Sequence, residues 1–210
     1  RTGKQGGGNI GFGIGLDHRQ QRLDFDLGTA LGNKLYLQVG GFHRVGEGTR
    51  NTDVTVENGG QVRASLTKEF DNGYVRATFK SLNDRTPTYL PVPVRLTGSR
   101  ISELPGIDPR TAFFFNSNLP QDVTVGKDGS RVASNPGDGL KVEVTSFGLE
   151  AQFRLAGDLT VTNRFRQSDI GGRFIGLFPA GSAPTDAANG TNRYTGTTPV
   201  FSAHIFNTSL

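Results

Sequence analysis

The sequence predicts an all-β chain that forms an antiparallel, up-and-down transmembrane β-barrel of about eight strands. Three observations lead to this fold class. Apolar and polar residues alternate over several stretches, and the polar row carries charged side chains where a soluble sandwich usually has Thr or Ser. Only 34% of the residues are hydrophobic, although their local alternation is strong. Short turns and long connections also alternate along the chain.

The composition excludes several classes of protein. The 210 residues include 30 Gly and 15 Phe but no Cys, which rules out a disulfide scaffold and a thiolate metal site. No apolar run approaches the roughly 18–20 residues of a membrane helix. The net charge is +4, and basic residues are interleaved with acidic ones, which disfavours a nucleic-acid-binding protein. The apolar residues form period-two runs, which argues against a disordered chain.

The first clear unit is a hairpin between Gln20 and Arg50, with a tight turn at Ala30–Asn33. A strand at residues 9–17 precedes it, and one face of that strand is mostly glycine, which suits a close passage of another backbone segment. The hairpin has one charged row and one apolar row. The apolar row comprises Leu23, Phe25, Leu27, Leu35, Leu37 and Val39.

A second hairpin is predicted at residues 61–80, around an Asp-Asn-Gly turn at 71–73. It is followed by a segment from Asn83 to Gly139 that is rich in Pro, Gly, Asn and Asp and contains three consecutive Phe residues at 113–115. Such a segment is too long for an ordinary connection in a compact soluble domain.

Alternation resumes at Leu140 and changes phase near Thr145–Ser146. The change of phase predicts either a β-bulge or a strand that leaves the membrane and continues outside it. The remaining predicted elements are a turn at 156–158, a strand at 159–166, a second long loop at about 168–198 and a last strand at 199–206.

The lengths of the connections predict an orientation in the membrane. Short and longer connections alternate in the order 30–33, 46–58, 71–73, 84–139, 156–158 and 169–198. If the short turns share one end of the barrel, the long connections share the other, as in outer-membrane barrels with short periplasmic turns and long extracellular loops. We therefore expect extracellular loops at about 84–139 and 169–198.

Several motifs follow one another at the start of the chain. They are a Gly-rich lead-in, an alternating strand, a stretch of the form R-x-D-F-D-x-G, a tight turn and a strand that ends G-G-F-x-R-x-x-x-G-x-R, at Arg1–Gly8, Asn9–Asp17, Arg22–Gly28, Ala30–Leu35 and Val39–Arg50. Their order resembles the start of the barrel domain in TonB-dependent outer-membrane receptors. The stretch Glu69–Arg76 is similar to the second periplasmic turn of such barrels. The resemblance covers residues 1–90 by motif and 140–168 by pattern.

The resemblance implies the N-terminal part of a receptor barrel that imports a scarce nutrient, such as a siderophore or a glycan, by TonB-coupled displacement of its plug domain. Residues 1–8 would lead in from the missing plug, and residues 9–210 would be a barrel segment. The implied location is the outer membrane of a Gram-negative bacterium. The implied partners are outer-membrane lipid and lipopolysaccharide, the plug, TonB and a small-molecule or glycan ligand; no enzymatic activity, cofactor or nucleic acid is implied.

Two departures from the family pattern bear on the extent of the chain. The plug and its TonB box do not precede Arg1, and the family barrel has many more strands than the eight counted here. We therefore expect roughly the first third of a larger barrel. The structural alternative is a closed eight-stranded barrel. The functional alternatives are a small structural or adhesive outer-membrane barrel without TonB-coupled transport, and a soluble secreted β-sandwich.

The charged residues of the polar rows are the first candidate site. In the barrel interpretation they line the lumen, where they either form ion pairs with the plug or only hydrate the lumen. These residues are Arg22, Asp24, Asp26, Arg44, Arg63, Glu69, Arg76, Lys80, Glu150, Arg154, Arg164 and Arg166.

The long connections provide the second candidate site, because surface loops on a rigid scaffold carry binding specificity. Arginine and aromatic side chains suit an anionic chelate, a glycan or a peptide. Alternatively, the three consecutive Phe residues pack the loop upon itself. The candidates are Arg85, Tyr89, Arg95, Arg100, Arg110, Phe113, Phe114, Phe115, Arg173 and Tyr194.

No catalytic or metal site is predicted. The three His residues are far apart and lack the spacing of metal ligands. Asp24 and Asp26 could form an acid pair, but Arg22 shares their strand face, which favours a ladder of alternating charge. The Gly-Lys-Asp-Gly-Ser stretch at 126–130 is a turn signal and lacks the phosphate-binding pattern of a P-loop.

Overall fold

The computed structural model describes residues 2–50, 54–89, 92, 94–105, 108, 121–126, 128–183 and 200–209. This part of the chain is all-β, apart from one turn of 3-10 helix at Pro136–Asp138. Within it, no helix is long and apolar enough to cross a membrane. The strands are β1 Gly7–Ile14, β2 Gln20–Gly32, β3 Leu35–Gly46, β4 Glu57–Phe70, β5 Gly73–Thr86, β6 Arg95–Thr97, β7 Arg100–Ser102, β8 Asp122–Val125, β9 Arg131–Ser134, β10 Leu140–Arg154, β11 Thr160–Ala183 and β12 Val200–Ser209.

Eight strands form one antiparallel sheet in the order β1-β2-β3-β4-β5-β10-β11-β12. Chain neighbours are sheet neighbours except at the step from β5 to β10, which contains the small hairpins β6–β7 and β8–β9. The predicted all-β, antiparallel, up-and-down order is therefore confirmed. Among the described strands the sheet is open, because β1 and β12 are its two edges. The closed eight-stranded ring considered above is thus not what these strands form.

The strand register defines two faces, because residues paired across adjacent strands point to the same side of a sheet. We call one side the polar face. One row of it, linked by successive cross-strand pairs, runs through Asp26, Gly40, Arg63, Lys80, Ser146 and Ser168. We call the other side the apolar face. A neighbouring row of it runs through Leu27, Val39, Ala64, Phe79 and Phe147.

The two ends of the sheet differ in their connections. At the turn end, two-residue loops at 33–34 and 71–72 and a short connection at 155–159 join the strands. Asn33 and Lys34 both have positive φ angles, 51° and 56°, which is the conformation of a type I′ hairpin turn and matches the twist of the flanking strands. At the loop end lie the connections 47–56 and 87–139 and the step from β11 to β12, together with the five-residue connection 15–19. The predicted placement of the three short turns at the end opposite the long connections is confirmed.

Two details of the predicted strands differ from the structure. Of the two alternatives for the change of phase at Thr145–Ser146, the β-bulge is wrong, because β10 pairs continuously with both β5 and β11. The apolar residues change faces there, and the strand continues toward the loop end, as the other alternative requires. The second long loop does not begin at residue 169, since β11 continues to Ala183. The glycines at 171 and 172 interrupt the sequence pattern but pair with Glu143 and Val142 inside the sheet.

Among the described residues, buried apolar side chains are few: Val56, Leu104 and Ile175. The amide of Ile175 donates to the carbonyl of Gly139 at 2.7 Å, and the Thr88 hydroxyl donates to the carbonyl of Ile175 at 2.7 Å. These contacts pack the connection between β5 and β10 against β11 at the loop end. The sheet itself has no packed layer on its apolar face in this part of the chain.

Gly41 allows β3 and β4 to approach closely. A Cβ atom at Gly41 would lie 2.0 Å from the carbonyl oxygen of Gln61 and 3.1 Å from the Phe25 ring. We expect Gly41→Ala to lower the free energy of unfolding by about 1–3 kcal/mol, the usual cost of overpacking. Gly11→Ala is the control, since its nearest neighbour would be the Cβ of Asp24 at 3.9 Å. Urea unfolding midpoints measure both changes, and equal midpoints would contradict the prediction.

Candidate functional site

The register brings the predicted polar-row residues together. All twelve of the charged residues predicted to share one side lie on the polar face, on strands β2, β3, β4, β5, β10 and β11. Six strands thus contribute to one continuous charged surface. Its ion pairs fall into groups at the two ends of the sheet.

The loop-end group is built around Arg44. Its guanidinium donates to both carboxylate oxygens of Asp84, at 2.8 and 3.2 Å, and to Glu57 at 3.4 Å. The amide of Gln20 donates to the second oxygen of Glu57 at 2.6 Å. The side chains of Arg44, Asp84 and Glu57 are only 20%, 15% and 11% exposed. This half-buried network joins four neighbouring strands by side chains.

Next to this network, Arg22 forms a bidentate pair with Asp24, with nitrogen–oxygen distances of 2.7 and 2.8 Å. The Arg22 guanidinium also lies 4.3 Å from the centre of the Phe42 ring. Asp26 accepts a hydrogen bond from the Gln38 amide at 2.6 Å. Asp24 and Asp26 therefore each have a donor of their own, which favours the charge ladder over an acid pair.

The turn-end group is built around Glu150. Its carboxylate accepts hydrogen bonds from the Tyr74 hydroxyl and, at 3.1 Å, from Arg164, and a nitrogen of Arg76 lies 3.9 Å away. Arg76 also donates to the hydroxyl of the buried Thr67 at 3.1 Å. Glu150 thus neutralises charge from two neighbouring strands.

The Gly-rich lead-in crosses the polar face, which the sequence did not predict. Lys4 donates to both oxygens of Glu69 on β4, at 2.8 and 3.1 Å. The hydrogen bond to Glu69 and the charge of Glu69 raise the pKa of Lys4. Glycines allow this path: a Cβ at Gly28 would lie 3.0 Å from the Cα of Gly3, and a Cβ at Gly3 would lie 2.1 Å from the carbonyl oxygen of Leu37. Gly3 and Gly28 are the feature of the sequence that indicates this close passage of the lead-in over the sheet.

Between the two groups lies a belt of cations. No ion pair joins Arg63, Lys80 or Arg166 to an acidic side chain in the described part of the chain. All three line a hollow of about 770 Å³, most of whose lining residues lie on the polar face. Arg154, also on the polar face and without an ion pair there, lies at the turn end and does not line the hollow.

Two of the predicted ligand contacts, Arg85 and Tyr89, form hydrogen bonds with other connections at the loop end. Arg85 donates to Asp138 and, at 3.1 Å, to the carbonyl of Thr55. The Tyr89 hydroxyl donates to the carbonyl of Glu47 at 3.2 Å and accepts from the Arg50 amide at 3.2 Å. Arg85 and Tyr89 therefore already have protein partners.

The other predicted ligand contacts are dispersed. Arg95 and Arg100 are exposed on the hairpin β6–β7, and Arg173 on β11 pairs across the sheet with Lys141, on the same side as the apolar face. None of these three lines the hollow. The remaining candidates, Arg110, Phe113, Phe114, Phe115 and Tyr194, lie outside the described residues.

At the turn end, the hairpin turns are joined by charge. The Lys34 ammonium forms an ion pair with Asp71, and the Lys68 ammonium donates to the carbonyl of Asn33. The hydrogen bond and charge of the partner raise the pKa of Lys34 and lower the pKa of Asp71. The contribution of Asp71 to stability is therefore present at neutral pH and is lost as pH falls through its lowered pKa.

His18, in the connection between β1 and β2, gives a pH-dependent prediction. Its Nδ1 atom lies 3.0 Å from Asp17, and this hydrogen bond raises the pKa of His18 above its ordinary value of 6.5. The stabilisation is full below pH 6.5 and is lost as pH rises through the raised pKa. NMR titration should show this shift, and Asp17→Asn should move the pKa of His18 back toward 6.5. An unchanged titration in Asp17→Asn would rule out the assigned cause.

The comparisons with known proteins give no relative: the chain matches no protein-family model, no curated protein and no solved structure. The described residues also contain no group of three or more His, Cys, Asp or Glu side chains that could hold a metal ion.

Proposed function

We propose that the chain is part of the wall of a transmembrane β-barrel, with its apolar face against lipid and its polar face against a water-filled lumen. Large side chains on the apolar face are exposed: Leu27 is 53% exposed, Phe147 50% and Phe165 55%. One row of that face runs through Thr29, Leu37, Leu66, Ala77, Leu149 and Phe165 without a charge. Soluble monomers rarely expose a continuous apolar patch of this extent.

The slope of the apolar band is the observation that carries the proposal. Toward the loop end, the last large apolar side chain that is exposed on this face, among the described side chains, is Leu23 on β2 but Phe165 on β11. Ile175, farther along β11 on the same face, is buried beneath the connection between β5 and β10. Successive cross-strand pairs connect Leu23 through His43, Gly60, Asn83 and Glu143 to Gly171, which is six residues beyond Phe165. From β2 to β11, the border of the band therefore moves about 20 Å along the strand direction, toward the turn end. The five strand-to-strand steps between these two strands span about 24 Å across the sheet.

These two lengths give an angle of about 40° between the strands and the normal to the band. Transmembrane β-strands are tilted by about 35–45° to the bilayer normal. A flat membrane requires an apolar band whose border runs obliquely across the hydrogen-bonded rows, and a soluble sandwich has no such requirement. The slope thus supports lipid as the material against the apolar face.

The turn end has the residues expected at a membrane–water boundary. The rings of Phe70 and Phe153 pack with their centres 5.7 Å apart, and the Lys68 ammonium lies 6.0 Å from the centre of the Phe70 ring. Aromatic residues and long cationic side chains are typical of this boundary. Beyond them, the turn residues Lys34 and Asp71 form the ion pair described above.

Within this architecture, we propose a segment of a TonB-dependent outer-membrane receptor that imports a scarce nutrient, with the plug, TonB, outer-membrane lipid and lipopolysaccharide, and a siderophore or glycan-like ligand as partners. Two observations support it. The motif order of residues 1–90 resembles that family, and the lead-in reaches β1 across the polar face, where a lumenal plug would lie. The gene sequence upstream of the Arg1 codon discriminates: a plug and TonB box support the receptor, and their absence favours a structural or adhesive barrel.

The membrane position can be tested with single cysteines, because the chain contains none of its own. Spin labels at Leu66, Ala77 and Leu149 should be accessible to oxygen in a bilayer, and labels at Ser65, Thr78 and Ser146 to a water-soluble nickel complex. The full-length natural protein in lipid vesicles is the sample. Equal aqueous access on both faces, or extraction from membranes without detergent, would sink the barrel proposal and favour a soluble sandwich.

A further inference from the structure

We infer that Arg63, Lys80 and Arg166 form a binding site for an oxyanion, a carboxylate or a phosphate, that is attached to an apolar group. The oxyanion can belong to a free small molecule or to an acidic side chain of a protein segment inserted against the polar face. The inference goes beyond the proposed function, because it depends on side chains of one face and not on what lies against the other.

The charges of Arg63, Lys80 and Arg166 are not compensated by an ion pair within the described residues. Arg63 and Lys80 are direct cross-strand partners on β4 and β5, and like charges in that position destabilise a sheet. Arg166 lies two strands from β5, so its backbone is about 10 Å from that strand and its long side chain reaches the same hollow. Elsewhere on the polar face, Arg22, Arg44 and Arg164 are paired with the carboxylates of Asp24, Asp84 and Glu150.

Two acidic residues come close to this belt by register. Glu150, diagonal to Arg166 across β10 and β11, accepts hydrogen bonds from Tyr74 and Arg164. Asp26 lines the same hollow; it lies two strands from Arg63 with Gly40 between them, and the Gln38 amide donates to it at 2.6 Å. No ion pair joins Asp26 to Arg63. The cations therefore present their charge to the hollow, where an oxyanion would relieve their mutual repulsion.

Neutral hydrogen-bond donors surround the three cations. Ser65, Thr78, Ser146 and Ser168 line the same hollow as the three cations. An arginine fork, an ammonium and hydroxyl donors together suit the several acceptor lone pairs of a carboxylate or phosphate. A nucleic-acid backbone is not implied, because the belt is confined to one hollow of about 770 Å³.

The hollow has an apolar border on one side. Phe42, Val144 and Ile170 lie on the polar face and line the hollow on its loop-end side, and Ile170 is 64% exposed. Val144 and Ile170 are direct cross-strand partners that face this way because β10 keeps its register past Thr145. An inorganic anion would leave this border exposed, whereas an oxyanion with an apolar group would cover it.

Titration of the purified full-length protein in detergent at low salt tests the site, with benzoate and inorganic phosphate as probes. We expect benzoate to bind more tightly than phosphate, and Arg63→Gln and Lys80→Gln each to weaken benzoate binding about tenfold or more. Ile170→Ser should weaken benzoate binding several-fold and leave phosphate binding unchanged. Arg154→Gln is the matched control, because Arg154 shares the polar face and lacks an ion pair but lies outside the hollow; it should have no effect.

A second measurement identifies the source of the oxyanion. Treatment with a water-soluble carbodiimide joins an ammonium to a carboxylate in contact with it, with loss of water to the reagent. A crosslink from Lys80 to an acidic residue of the same protein outside the polar face, and so not to Asp26, assigns the oxyanion to an inserted segment, and benzoate binding without that crosslink assigns it to a free ligand. The inference is overturned if neither benzoate binding nor the crosslink is observed. It is also overturned if benzoate binds and Arg63→Gln and Lys80→Gln leave that binding unchanged. The spin-label experiment is independent of both outcomes.

Discussion

Ala151→Arg is expected to lower the free energy of unfolding from a lipid bilayer by about 2–4 kcal/mol, the cost of an Arg near the bilayer midplane on the lipid face of a barrel. Ala151 lies on the apolar face of β10, between Val75 and Asn163 of the neighbouring strands. It is near the middle of the apolar band on that strand, between Phe147 and Leu155. Because alanine is small, the substitution removes almost no apolar contact, so the charge causes the effect.

Gln152→Arg is the matched control for Ala151→Arg. Gln152 is the next residue on the same strand, but it points to the polar face, where Tyr74 and Thr162 are its cross-strand partners and Glu150 is nearby. An arginine there meets water and a carboxylate, so we expect a change of less than about 1 kcal/mol. Urea unfolding in lipid vesicles measures both variants. If the two lose similar stability, the apolar face is not against lipid.

Arg44→Met is expected to lower the free energy of unfolding by about 2–4 kcal/mol. The substitution leaves the carboxylates of Asp84 and Glu57 half-buried without their cation, and breaking one side of a buried ion pair costs about 3–5 kcal/mol. The figure expected here is lower, because the three side chains keep some contact with water. The double variant Arg44→Met with Asp84→Asn should recover part of the loss, since one uncompensated charge is removed.

Arg22→Met provides the comparison for Arg44→Met. Arg22 is the direct cross-strand partner of Arg44, and its own carboxylate, Asp24, is 52% exposed. We expect a loss below about 1 kcal/mol, as for most exposed ion pairs. Equal losses at Arg22 and Arg44, or no recovery in the double variant, would show that the network around Arg44 contributes little beyond packing.

The sequence predicted the two faces well, because the alternation of side chains in a strand is a local property. Each residue of the polar rows is assigned by parity within its own strand, and two-residue turns such as Asn33–Lys34 carry that parity to the next strand. The cation belt could not be predicted in this way. Whether Arg63 has a carboxylate across the sheet depends on the register of β4 against β3 and β5, and the sequence does not contain that register explicitly.

The other differences have similar physical causes. β11 continues past residue 169 because residues of β10 pair with it opposite Gly171. Tertiary pairing thus overrides the weak strand preference of glycine. The path of the lead-in depends on contacts between Gly3 and Gly28, which are distant in the chain. The roles of Arg85 and Tyr89 in fastening connections likewise depend on carbonyl groups of other segments, which have no signature in the residue pattern.

The unpaired sides of β1 and β12 have a consequence for biogenesis. Each strand leaves a line of backbone N–H and C=O groups without a partner in the described sheet, and each such group costs several kcal/mol in hydrocarbon. If the apolar face enters lipid as proposed, the sheet cannot enter first and find partners for its borders later. Pairing at both borders and entry into the bilayer must then be one concerted step. Before that step, the apolar face must be shielded by something other than membrane.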